Sequence, residues 1–213
     1  MKDIKPIKIV LVGESGVGKT NLIRVANDEP FKKEAYSTVS NSFLEKDIIV
    51  NNKKYTYNLW DTAGQEVYRS LSKLYLENAK IVLIVFALDN KKSFKETDFW
   101  INNTKESLKE GKYMMALVGN KSDLLDEQEV SDEEVKKKAE ELKIDFIITS
   151  AAADAVGFRQ FLEELIKKFI KNIGFNEEEE KQKEKSFNLK EEKKNEENNV
   201  VNVVELNQKK KCC

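Results

Sequence analysis

The chain has 213 residues, with 37 basic and 38 acidic side chains and a formal net charge of −1. At roughly 150 residues per domain that is one domain and a remainder, and the balanced charge offers no basic field for nucleic acid. There is no histidine, and the two cysteines are the final residues, Cys212 and Cys213, which excludes Ser-His-Asp and Cys-His nucleophiles, imidazole and cysteine metal sites and a disulfide framework.

The first apolar run, Ile7–Val12, reads as a strand. Lys8 interrupts it, so no signal peptide is expected. Gly13-Glu14-Ser15-Gly16-Val17-Gly18-Lys19-Thr20 follows and fits G-x-x-x-x-G-K-[ST] between a strand and a helix. Glycines there let the backbone curl so that the N–H groups of Ser15, Gly16, Val17 and Gly18 face an anion, and the next helix adds its positive end. Lys19 places a charge on the β and γ phosphates, and Thr20 offers a hydroxyl to Mg²⁺. Beyond the helix, Phe31 either packs against a purine ring or is an ordinary packing residue. Thr38, in the polar stretch before the second strand, is the candidate for a second Mg²⁺ contact.

Phe43–Val50 and Tyr55–Trp60 flank Asn51-Asn52, the pattern of a hairpin. Asp61-Thr62-Ala63-Gly64-Gln65-Glu66 follows. Asp61 is placed to reach Mg²⁺ through water. Gly64, with no Cβ in the way, is placed to give its N–H to the γ-phosphate, and Gln65 to orient the attacking water. Ile81–Leu88 is an unbroken apolar run of eight residues. That suits a strand covered on both faces and falls short of the roughly 20 residues that span a membrane. Lys92–Lys109 carries helical spacing. Met114–Val118 reads as a strand and leads into Asn120-Lys121-Ser122-Asp123, where ligands of open α/β sheets sit. A carboxylate at Asp123 accepts two hydrogen bonds from the N1–H and 2-amino groups of guanine. Adenine would leave that carboxylate buried and unpaired, at a selectivity of about 10⁴. Ser131 with Glu134 is a capping box opening a helix to Leu142. Phe146–Ile148 is a short strand, after which Ser150 and Ala151 bring a backbone N–H to the guanine O6. Val156–Ile173 closes the series with a stripe of Phe158, Phe161, Leu162, Leu165, Ile166 and Phe169.

From Gly174 onward the 40 residues hold ten glutamates and nine lysines, too little apolar surface to offset ordering entropy. We read residues 174–213 as a disordered tail and 1–173 as the folded domain. The expected fold is α/β, with a six-stranded, mostly parallel sheet, one antiparallel hairpin strand and helices on both faces.

These segments, in this order over residues 6–172, resemble the small GTPases of the Ras superfamily, with their P-loop NTPase fold. GESGVGKT, WDTAGQE followed by Tyr68-Arg69, LVGNKSD and a terminal Cys-Cys are similar to Rab proteins. The resemblance implies GTP and GDP with Mg²⁺ as ligands, and Gln65 as the catalytic residue. It implies a G domain over 1–173 and a geranylgeranylated Cys212-Cys213 that cycles a cytosolic monomer onto endomembranes. The implied partners are an exchange factor, a GTPase-activating protein, a GDP dissociation inhibitor or escort protein, and effectors, with no nucleic acid. Phe43, Trp60 and Tyr75 fall where Rab proteins carry an aromatic triad contacted by effectors; core packing is the alternative. The chain departs from the Rab pattern at Ser40, Asn41, Ser42 and Val67, and at Ala152, where a lysine usually covers the base.

The implied role is a GTP-switched regulator of vesicle traffic. Of the three arginines, Arg24 and Arg159 lie on the first and last helices and Arg69 far along its loop. Slow intrinsic hydrolysis, about 10⁻⁴ to 10⁻³ s⁻¹, is therefore expected until a partner supplies an arginine. The alternatives are a nucleotide-binding scaffold with little turnover and, sharing only the phosphate loop, a nucleotide kinase. Asn120–Asp123 and the lack of an arginine-rich lid disfavour the kinase.

Overall fold

A parallel sheet is built outward from β1 (Ile7–Val12). A computed structural model describes residues 5–33, 43–62, 72–109 and 112–174. β1 pairs in parallel on one side with β3 (Lys53–Trp60) and on the other with β4 (Ile81–Ala87). β4 continues in parallel to β5 (Met114–Asn120), and β5 to β6 (Asp145–Ile148). β2 (Phe43–Val50) runs antiparallel to β3 at the edge, giving the order β2-β3-β1-β4-β5-β6. The expected six-stranded, mostly parallel sheet is borne out. Asn51 and Asn52 make the hairpin with φ of 51° and 60°, both in the left-handed region that a two-residue primed turn needs and that asparagine tolerates.

Among the described residues, six α-helices cover the sheet. α1 (Lys19–Ala26) follows β1, and α2 (Ser72–Leu76) precedes β4. α3 (Lys91–Lys95) and α4 (Thr97–Ser107) lie between β4 and β5. α5 (Asp132–Leu142) leads into β6, and α6 (Ala155–Phe169) leaves it, ending in a wide turn at Ile170–Gly174. Every residue of β4 is buried. One face, with Val82, Ile84 and Phe86, joins Val10, Val12, Phe94, Trp100, Ile101, Val135 and Ala139 in one core. The opposite face is closed by α6, which packs on β4 and α1. Its Phe158, Leu162, Leu165, Ile166 and Phe169 are buried, with Phe161 half-buried at the edge of the stripe. Five such side chains contribute about 2 kcal/mol each as an upper estimate.

The single helix read over Lys92–Lys109 is in fact two. The Thr97 hydroxyl donates to the Phe94 carbonyl at 2.6 Å, and such back-bonding competes with the helical ladder and bends it. The side chain of Asn90 accepts from the Ser93 N–H and starts α3 one residue early. The capping box stands as read: Ser131 accepts from the Glu134 N–H, and Glu134 from the Ser131 N–H. Among the described residues no helix is long and apolar enough to cross a membrane.

Candidate functional site

Strand order reverses direction around β1, whose neighbours are β3 and β4. The crevice at such a switch point is where open α/β sheets take ligands, and the 13–20 loop occupies it. Two glycines there have no substitute. Gly13 has a φ of +147°, and a Cβ would lie 2.0 Å from the Val85 carbonyl oxygen. Gly18, at φ +96° and just before α1, would put a Cβ 2.2 Å from Asn120 Nδ2. Gly16 faces the other way: at φ +78° its Cβ would meet nothing within 4 Å. The loop is thus pinned at both ends and open at its centre.

Lys19 is 5% exposed. Its Nζ donates to the carbonyls of Gly13 and Glu14, at 2.8 Å each. Burial pushes its pKa down to about 8, against the opposing pull of Asp61 and Glu14. The Thr20 hydroxyl donates to Asp61 Oδ2 at 2.8 Å. The pair sets a neutral hydroxyl beside a carboxylate, the oxygen donor chemistry that suits a hard divalent ion held by Thr20 directly and by Asp61 through water. Among the described residues no cluster of three or more His, Cys, Asp or Glu forms a metal site; a cation here would draw its remaining oxygens from elsewhere. The Thr62 hydroxyl donates to the Leu11 carbonyl at 2.6 Å, which fixes the end of β3 against β1.

At the other end, the Asn120 side chain is 2% exposed. Its Nδ2 donates to the Val17 carbonyl at 2.8 Å, and its Oδ1 accepts from the Ala151 N–H at 3.0 Å. One amide therefore joins three segments. The Ala151 N–H, expected to point at guanine O6, is engaged by Asn120 in this structure. The Ser150 hydroxyl donates to Asp123 Oδ1 and accepts from the N–H groups of Ala152 and Ala153, at 3.0 Å each. Asp123 is exposed rather than buried. The expected adenine penalty thus arises only when a base covers the carboxylate. Lys121, at φ +67°, pairs with Asp89 at 3.0 Å.

Phe31 is 41% exposed and outside the core, as a residue that packs on a ligand would be. It is positioned by a residue that sequence reasoning missed. Asn21, buried on α1, donates through Nδ2 to the Lys32 carbonyl at 2.9 Å and accepts from the Lys32 N–H at 3.1 Å. A polar residue on the inward face of an amphipathic helix was the available signal. Asp89, directly after the apolar run Ile81–Leu88, is a second residue that has no motif to single it out in the sequence.

Phe43 stacks on Trp60 with centroids 5.2 Å apart and is 57% exposed. Trp60 and Tyr75 pack against the core, so surface and packing roles coexist in the trio. Arg24 pairs with Glu29 at 3.0 Å, and Arg159 with Asp28 at 3.2 Å and the Val25 carbonyl at 2.8 Å. Both guanidinium groups are therefore engaged with residues at the C-terminal end of α1. Thr38, Ser40, Asn41, Ser42, Gly64, Gln65, Val67, Arg69, Cys212 and Cys213 lie outside the described residues.

A sequence model of the Ras family matches residues 8–171. The chain is 40% identical over 144 residues to the GTP-binding protein ypt3 of Schizosaccharomyces pombe, covering 68% of this chain and 67% of that one. It is 41% identical over 144 residues to the Ras-related protein Rab-11B of Dictyostelium discoideum, covering 68% of this chain and 65% of that one. The match thus spans about two thirds of each relative.

Proposed function

The chain belongs to the Ras family, as a Rab-type small GTPase, and from that premise we propose that it is a GTP/GDP switch regulating vesicle traffic. The observation that carries this reading is the Asn120 side chain, which ties the phosphate loop at Val17 to the 149–151 turn at Ala151. A single amide fixes the distance between an anion cradle and the Asp123 carboxylate, as a guanine nucleotide requires.

In this reading the N–H groups of Ser15 to Gly18 and the buried Lys19 hold the β and γ phosphates. Asp123 reads the guanine N1–H and 2-amino groups, supported by Ser150. Ala151 turns its N–H to O6 by sharing it with Asn120. Phe31 covers one face of the ring and the stem of Lys121 the other. Thr20 and Thr38 would hold Mg²⁺ through their hydroxyls, and Asp61 through water. When bound, the ion would neutralise negative charge on the β and γ phosphates. Gln65 orients the attacking water, and the Gly64 N–H senses the γ-phosphate with Thr38. Loss of those two contacts on hydrolysis releases the loops that carry them, so effectors meeting the Phe43–Trp60–Tyr75 surface bind one state.

No arginine in the first or last helix is free to stabilise the leaving charge, since Arg24 and Arg159 are committed elsewhere. Turnover is slow until an activating protein supplies one. An exchange factor reloads the site. Two geranylgeranyl chains on Cys212 and Cys213 give stable anchoring where one would be marginal, and Lys209 to Lys211 add attraction to anionic lipid. A dissociation inhibitor or escort protein returns the monomer to the cytosol. Nucleotide released by denaturing the purified protein tests the reading: GDP and GTP are expected, and adenine nucleotides or none would refute it.

A further inference from the structure

Lys121 holds a backbone conformation that an L side chain rarely adopts, at φ +67°. The path of residues 122–124 depends on it. The Leu124 N–H donates to the Lys121 carbonyl at 3.1 Å, and the Ser122 N–H to the Thr149 carbonyl at 3.1 Å, and Asp123 lies between those two bonds. Something must hold Lys121 in place, and among the described residues Asp89 is its charged partner. Lys121 Nζ donates to Asp89 Oδ2 at 3.0 Å, in a pair whose side chains are 32% and 15% exposed. The second oxygen, Asp89 Oδ1, is buried and accepts no hydrogen bond among the described residues. The carboxylate thus directs its charge at Lys121.

Asp89 is itself rigid. The preceding Leu88 donates its N–H to the Asn120 carbonyl at 2.9 Å, and its carbonyl accepts from Glu129 at 2.9 Å and Val130 at 3.2 Å. The following Asn90 donates to Ala87 at 3.1 Å and caps α3. A fixed carboxylate therefore grips a long, partly exposed lysine at the point where the loop is strained.

We infer that Asp89 is a positioning residue for base recognition, holding Lys121 and through it the loop on which Asp123 meets guanine. The inference rests on the guanine-site reading above. Without the Asp89 grip, Lys121 relaxes out of the left-handed region and Asp123 swings away from the base edge. A guanine base then loses two hydrogen bonds. Hypoxanthine, which lacks the 2-amino group, loses one. The two bases therefore distinguish a misplaced loop from a generally loosened domain.

The test measures release of GDP and of inosine diphosphate from the full chain, as wild type, Asp89→Ala and Asp89→Asn. Asp89→Asn keeps the shape of the side chain and serves if the alanine variant folds poorly. GDP release is expected to quicken about tenfold in Asp89→Ala and less in Asp89→Asn. The preference for GDP over inosine diphosphate is expected to shrink in the same order. Equal acceleration of both nucleotides, or none, would overturn the role of Asp89. A wild-type protein with no preference for GDP over inosine diphosphate would instead overturn the guanine-site reading, and the inference with it.

Discussion

Lys19 carries its charge where water hardly reaches, and this has a consequence in pH. Its pKa is pushed down by burial to about 8, below the ordinary 10.5. Below pH 8 the lysine is charged in both folded and unfolded chains, so the folded state bears the full cost of burying it. Between pH 8 and 10.5 the folded protein binds fewer protons than the unfolded one, and stability from this group rises with pH. A bound triphosphate supplies the opposite charge and removes the penalty. Raising the pH from 7.5 to 9.5 is therefore expected to favour the nucleotide-free form and weaken GDP binding. Thermal unfolding with and without GDP at the two values checks the sign. At Gly18, a Cβ would meet Asn120 Nδ2 at 2.2 Å, on a backbone at φ +96°. Gly18→Ala is expected to cost at least about 100-fold in nucleotide affinity, through strain and the lost bridge together. A variant within threefold of wild type in a GDP titration would remove the bridge from its central place.

Among the elements, α6 closes one face of the sheet with its buried stripe. Phe158 is fully buried, and Phe158→Ala is expected to cost about 3 to 5 kcal/mol in urea unfolding. Ser131→Ala removes one half of a capping box at an exposed helix start and is expected to cost about 1 kcal/mol. Both elements were legible because their signals are local: an apolar stripe at 3.6-residue spacing and a serine three residues before a glutamate. The Asn51-Asn52 hairpin was legible for the same reason. The break between α3 and α4 was not, because it turns on whether the Thr97 hydroxyl bonds the Phe94 carbonyl or water. In the site, the phosphate loop and the 120–123 segment announce themselves by spacing. The pairing of Asp89 with Lys121 spans 32 residues, and Asn21 grips a loop 11 residues away. Neither pairing has a local pattern. The exposure of Asp123 was likewise a property of the folded loop and not of its residue type.

At the scale of the whole molecule, the two arginines on α1 and α6 are spent at the far end of α1. The chain alone is therefore expected to hydrolyse GTP at about 10⁻⁴ to 10⁻³ s⁻¹, and a single-turnover rate near about 1 s⁻¹ would mean that it carries its own charge-stabilising group. Gln65→Leu is expected to leave GTP binding intact and slow that rate further. Mass spectrometry of the C-terminus from cells is expected to find lipid on Cys212 and Cys213, and thiols free throughout would remove the anchor. All of this depends on one chain segment distinguishing purines while another grips phosphates. The most direct measurement is displacement of bound fluorescent GDP by GTP and by ATP under the same Mg²⁺ concentration. GTP is expected to displace it at concentrations at least about 100-fold below those needed for ATP, and equal displacement by the two would contradict guanine recognition by Asp123.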